Sequence, residues 1–213
     1  MEWQRRESVF SSPRMRRYLN MHAGDTKRAG AAYDQNVLLA QALLPALQTL
    51  EIALRNAVHR SLARSTGRLD WWNALPMPEF EWLVATVRDA HSKLARRREL
   101  PTTDKIVAEL TFGSWTRLFN AQHACTLWGR LLLAFPSCPK RKRQRPQVGA
   151  ALNHIRDLRN RVMHHEPLLW IVPTVKEVHA EILDVLDWIS PDINQWLAHY
   201  DSVPARLTVC AAI

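Results

Sequence analysis

The stretch YDQNVLLAQALLPALQTLEIALRNAVHRSL, Tyr33 to Leu62, decides the fold. Val37, Leu38, Leu44, Leu47, Leu50, Ile52, Leu54, Val58 and Leu62 recur at steps of three and four, the spacing of one helix face. Pro45 is expected to divide or kink this helix, since it removes a donor and crowds the preceding turn. Gly67 is expected to end it. Downstream, Glu79 to Arg98 reads as a helix with Trp82, Leu83, Val87 and Leu94 on its apolar side. Its closing Arg96-Arg97-Arg98 suits a helix C-terminus. Thr102-Thr103-Asp104 supply capping groups for a helix, or a pair of helices, running to about Phe135 with Gly113 as a weak point. Pro136 to Pro146 reads as a loop. A helix follows from about Gln147 to Met163, then an ambiguous loop or strand fragment at Leu168 to Val172. Further helices run from Pro173 to about Ile189 and from Pro191 to about Tyr200. Residues 1–30 read as basic and loop-prone, with one helical segment over Arg16 to His22 that Gly24 ends.

No β alternation, repeat or low-complexity tract interrupts this pattern. The expected fold class is therefore all-α. The expected organisation is a basic segment over 1–30, one helical domain over 31–200 and a C-terminal tail over 201–213.

The 213 residues can bury a core without staples, and 47% hydrophobic with 23% charged residues is an ordinary globular composition. Nine tryptophans require either a core or a partner surface. The net charge of +9 comes from 29 Lys and Arg against 20 Asp and Glu, with an isoelectric point near 10.1. Such a chain attracts polyanions, RNA or DNA first; the plainer reading is a basic surface that binds nothing. Cys125, Cys138 and Cys210 show no CxxC spacing, which fits structural thiols in a reducing compartment. The polar Met1 to Glu7 carries no secretory pattern, and the apolar run Leu127 to Phe135 is too short to span a bilayer. A soluble, cytoplasmic protein with no membrane partner is expected.

Chemistry concentrates in Asp157-Leu158-Arg159-Asn160-Arg161-Val162-Met163-His164-His165-Glu166. Arginine is a permanent cation that grips phosphate in a fork, and histidine exchanges protons near neutral pH. Together they are the parts needed to cut a phosphodiester without a metal or other cofactor. The bland reading is a polar helix end whose histidines cap the last carbonyls. Asn160 and His164 are four apart and share a helix face. Arg159 and His164 are five apart, roughly 140° around the axis at ~100° per residue. They converge only if the chain leaves the helix near Met163, as Pro167 favours, or if a twin chain supplies one of the two groups.

Arg159-Asn160-Arg161-Val162-Met163-His164 resembles the R-x(4-6)-H signature of HEPN ribonucleases. Its surroundings, Ile155 to Leu158 and His165-Glu166-Pro167, resemble the Abi-like (abortive infection, Abi_2-type) branch of that superfamily. Leu50-Glu51-Ile52-Ala53-Leu54-Arg55-Asn56 resembles that branch's "LE-x-x-LRN" helix, and Leu110-Thr111-Phe112-Gly113-Ser114-Trp115 its "LTFG-x-W" segment. The order and spacing of these stretches resemble that branch over about residues 10 to 190. The resemblance implies a HEPN-like helical bundle, with added N- and C-terminal helices, that dimerises so that two motifs face one another. It implies metal-independent cleavage of RNA by a toxin or antiphage effector, restrained by an antitoxin protein or RNA.

On that reading His164 is a general base or acid, Arg159 clamps the phosphate oxygens and Asn160 orients His164 or the phosphate. His165 points about 100° away and takes a different role. Glu166 either pairs with Arg161 or orients a histidine. Glu51, Arg55 and Asn56 form a second polar set, either a packing pair or a support for the site, and His59 continues their row. Lys140, Arg141, Lys142, Arg143 and Arg145 are candidate RNA-backbone contacts, or a solvated loop. Trp71, Trp72 and Trp115 are candidates for stacking on bases, with core packing the commoner use of such residues. The spacing of His164-His165-Glu166 does not make a zinc site. Two other readings stay open: a HEPN-fold module that binds RNA or protein without cutting, and a basic helical DNA-binding regulator.

Overall fold

The N-terminal arginines belong to helices. α1 (Trp3–Phe10) and α2 (Ser12–Met21) precede α3 (Thr26–Thr66), which begins earlier than the apolar periodicity because Asp25 caps it. The Asp25 carboxylate accepts from the amides of Lys27 and Arg28 at 2.9 and 3.0 Å, and these bonds lower its pKa. The segment read as loop-prone with one helix over Arg16 to His22 thus holds that helix, begun earlier at Ser12, and α1 before it. Its apolar signal is small, Met15 and Tyr18 buried among arginines. Arg6 forks onto Asp34 at 2.7 and 2.8 Å, tying α1 to α3.

A computed structural model describes residues 1–211. The remaining helices are α4 (Glu81–Arg96), α5 (Thr103–Glu109), α6 (Phe112–Arg117), α7 (Ala124–Leu131), α8 (Arg145–Met163), α9 (Val175–Ile189), α10 (Pro191–Leu197) and α11 (Val203–Cys210), and no strand occurs among the described residues. The chain is all-α.

α3 organises the bundle. Its 41 residues extend about 60 Å and touch α1, α2 and most later helices. Pro45 neither divides nor ends it. The carbonyl that Pro45 cannot serve is that of Gln41, on the exposed side where water can take the missing donor's place. Leu43, Ala46, Leu47, Leu50 and Leu54 hold the other side in the core. By length and composition α3 is also apolar enough to cross a membrane; in this fold its buried face is the centre of the bundle. α8 lays Val148, Leu152, Ile155, Leu158 and Val162 against that core, and α9 adds Val178, Ile182, Val185 and Leu186. A capping box between Thr174 and Glu177 opens α9.

The segment 102–135, expected as one helix or two, holds three short α-helices. Leu110 is extended and Thr111 caps α6 through Ser114, so the break falls before Gly113. Trp71, Trp72 and Trp115 are core residues, and the indole of Trp71 donates to His59 Nδ1 at 3.0 Å. They have no free face for bases.

The expected C-terminal tail is partly helix. α11 packs on α3 and α9 with Val203 fully buried; Ala212 and Ile213 of that tail lie outside the described residues. His179 of α9 holds its Nε2 3.1 Å from Asp201, which precedes α11. Burial pushes the His179 pKa below the usual histidine value, outweighing the pull of Asp201. The unfolded chain protonates this ring near pH 6.5 and the folded chain only at lower pH. Stability from the neutral ring is therefore complete above the unfolded value and is lost as pH falls through the folded one. Thermal melts should show Tm dropping as pH is lowered below about 6.5, with a shallower drop in His179→Gln.

Candidate functional site

α8 ends between the two halves of the motif. Met163 is its last residue, His164 is the C-cap, and His165 adopts a left-handed φ of 56°. The amide of Glu166 reaches back to the Arg161 carbonyl at 2.8 Å, and that of His165 to Val162 at 3.1 Å. This is the helix-ending turn that glycine usually makes, here built on a histidine. Arg161 reinforces it by donating to the Glu166 carboxylate at 3.0 Å. Of the two roles open to Glu166, the ion pair with Arg161 is the one formed.

Two distant residues fix the exit. Asn36, buried on α3, donates to the Glu166 carbonyl at 3.3 Å and accepts from the Leu168 amide at 2.6 Å. Arg14 of α2 donates to the His165 carbonyl. Neither was among the sequence candidates. Asn36 carried a usable signal, a lone amide on an apolar helix face. Arg14 carried none, because its partner lies 151 residues away.

Arg159 lines a cleft between α3 and α8. The cleft has a volume of about 380 Å³, and Glu51, Arg55, Gln48, Ile52 and Met163 also line it. Arg159 Nε lies 3.7 Å from Glu51 Oε2, an ion pair too long for a hydrogen bond. The Nε atoms of Arg55 and Arg159 are both buried without hydrogen-bond partners. The four-residue spacing favoured a Glu51–Arg55 pair; the carboxylate instead pairs with Arg159 across the helices. Asn160 and His164 are exposed at the helix end, and no side-chain hydrogen bond holds either. The structure thus brings Arg159, Glu51 and Arg55 together and leaves His164 outside their cleft. Asn56 is half-buried and does not line the cleft, and His59 is engaged with Trp71. Burial lowers the His59 pKa.

The left-handed cap gives His165 a backbone role. A non-glycine residue there costs about 1 kcal/mol or more. His165→Gly is therefore expected to raise stability by roughly 0.5–1 kcal/mol in urea titrations while leaving the reach of His164 unchanged. A large loss of stability would show that the imidazole itself holds the turn.

The basic run is divided. Lys142 donates to Asp184 at 2.6 Å, Arg143 to the carbonyls of Cys138 and Pro136, and Arg145 to that of Phe119 at 3.3 Å. Lys140 and Arg141 are exposed and remain available to an anion.

A second feature lies on the outer face of α3. Val37, Leu44 and Ile52 are exposed along it, beside Met163. The face continues into a groove of about 740 Å³ against α10, where Trp196 and Tyr200 are 55% and 56% exposed. Exposed apolar residues gathered in this way are the kind of patch that partner surfaces use. Compared with family models, with characterised proteins and with solved structures, the chain matches none, so the family resemblance stands on its motifs alone.

Proposed function

We propose that this chain is a homodimeric, metal-independent endoribonuclease of the HEPN type, in its Abi-like branch, acting as a toxin or antiphage effector. One observation carries the reading: α8 stops between Arg159 and His164, leaving a cationic cleft on one side and an exposed imidazole on the other. A single chain supplies two half-sites that do not meet. The exposed apolar face of α3 borders the cleft through Leu44, Ile52 and Met163, and a second copy seated there would bring the halves together.

The chemistry then follows. One imidazole takes the proton of a ribose 2′-hydroxyl, whose oxygen attacks the adjacent phosphorus. The P–O5′ bond breaks, the departing 5′-oxygen takes a proton from water, and the imidazolium gives its proton to the hydroxide that is left. The products are a 2′,3′-cyclic phosphate and a 5′-hydroxyl. Arg159 compensates the charge that builds on the phosphoryl oxygens. Purified protein with chelator should cut RNA to such ends and leave matching DNA whole, because DNA lacks the nucleophile. Comparable cutting of DNA would overturn the mechanism.

A module that binds RNA or protein without cutting is the second reading. It is favoured by the lack, among the described residues, of any hydrogen-bonded group that orients His164. Retained but uncut RNA in the same assay would select it.

A further inference from the structure

We infer that the α3–α8 cleft is a backbone-phosphate site formed by Arg55 together with Arg159, and that Glu51 occupies it in the resting protein as a displaceable stand-in for the phosphate. The inference rests on the RNA reading for the identity of its ligand. Its geometry stands on the cleft itself.

Three observations converge. Arg55 and Arg159 line one cleft from two helices, and the Nε–H of each is buried with no acceptor. Buried donors of this kind are normally satisfied, so two in one cleft describe a site short of acceptors. Glu51 supplies charge without completing the bonding: at 3.7 Å from Arg159 it neutralises the guanidinium and leaves its donor unmet. A phosphodiester has the missing property. Its oxygens are arranged to accept from two guanidinium forks at once, which one carboxylate set back from Arg159 does not achieve. The cleft is large enough for a small ligand and opens beside the helix end that carries Asn160 and His164.

Glu51 and the phosphate thus compete for the same cation. With Glu51 seated, the cleft carries one net positive charge instead of two, and polyanions are held less tightly. When a phosphodiester enters, the Glu51 side chain swings toward solvent and both arginines engage the backbone. Arg55 is accordingly a phosphate-binding residue, and Glu51 sets how much anion affinity the resting protein shows.

The test is equilibrium binding of a fluorescent 2′-O-methyl oligoribonucleotide, which cannot be cut by 2′-hydroxyl attack, to the full chain across a salt series. Glu51→Gln should bind about fivefold tighter than the parent, the scale of removing one competing ion pair. Arg55→Gln should bind about tenfold weaker, with the salt slope reduced by about 0.7, the share of one lost phosphate contact. If Glu51 instead serves only to hold Arg159 in place, Glu51→Gln binds more weakly, and the inference falls. It falls too if Arg55→Gln leaves affinity and slope unchanged, or if the parent does not bind the probe. RNA cleavage is measured on the same proteins. Binding shifts as stated with no cleavage would uphold the site and remove the nuclease reading. Cleavage with unshifted binding would do the reverse.

Discussion

Arg159→Ala and His164→Ala proteins are each expected to lose RNA cleavage by about 10²–10⁴-fold, the range for removing a general acid–base or a charge-stabilising donor. Both should keep their fold. His164 is exposed with no side-chain partner, and Arg159 has only the long contact to Glu51. Tm should therefore move by no more than about 2 °C in His164→Ala, as for surface substitutions, and by no more than about 4 °C in Arg159→Ala, whose side chain is half-buried. Single-turnover cleavage and a thermal melt on the same samples separate chemistry from stability. Asn160→Ala should have a smaller effect, because its amide adds no charge. A variant of either principal residue that cuts as fast as the parent would remove the motif from the mechanism.

The second large effect concerns assembly. Leu44→Glu combined with Ile52→Glu puts two carboxylates on the outer face of α3, at side chains that are 41% and 40% exposed. In a self-association surface, each buried and unpaired charge costs several kcal/mol. Dimer affinity should fall by at least about 100-fold, seen in sedimentation as a shift to monomer. Cleavage should fall with it at concentrations where the parent is dimeric. A monomeric variant with undiminished cleavage would place both halves of the site in one chain.

The fold class was legible because α3, α8 and α9 repeat apolar residues at helical steps, and those steps survive folding as buried faces. What escaped the sequence was decided by local competition. Thr111 and the extended Leu110 cut the segment after residue 102 sooner than glycine did. Pro45 left α3 intact because it frees a carbonyl on the solvent side. The charge of the N-terminal segment hid α1 and the first turn of α2, where Arg6 and Arg14 bond to later parts of the chain. Within the site, helix geometry anticipated that Arg159 and His164 would not converge from one straight helix, and the C-terminal turn at His165 shows where the helix stops. The partnership of Glu51 with Arg159 rather than Arg55 was not legible, since a preference for pairs four apart says nothing about a neighbouring helix 108 residues away. Asn36 and Arg14 reach the motif across still longer separations, and only the packed chain reveals them.

The central claim is that one chain's Arg159 works with the partner's His164. Co-expression of Arg159→Ala and His164→Ala chains carrying different tags, followed by tandem purification, yields heterodimers with one intact composite site and one dead one. The account predicts cleavage at about half the parent rate, far above the 10²–10⁴-fold loss expected of either homodimer. Heterodimers as inactive as the two homodimers would contradict it.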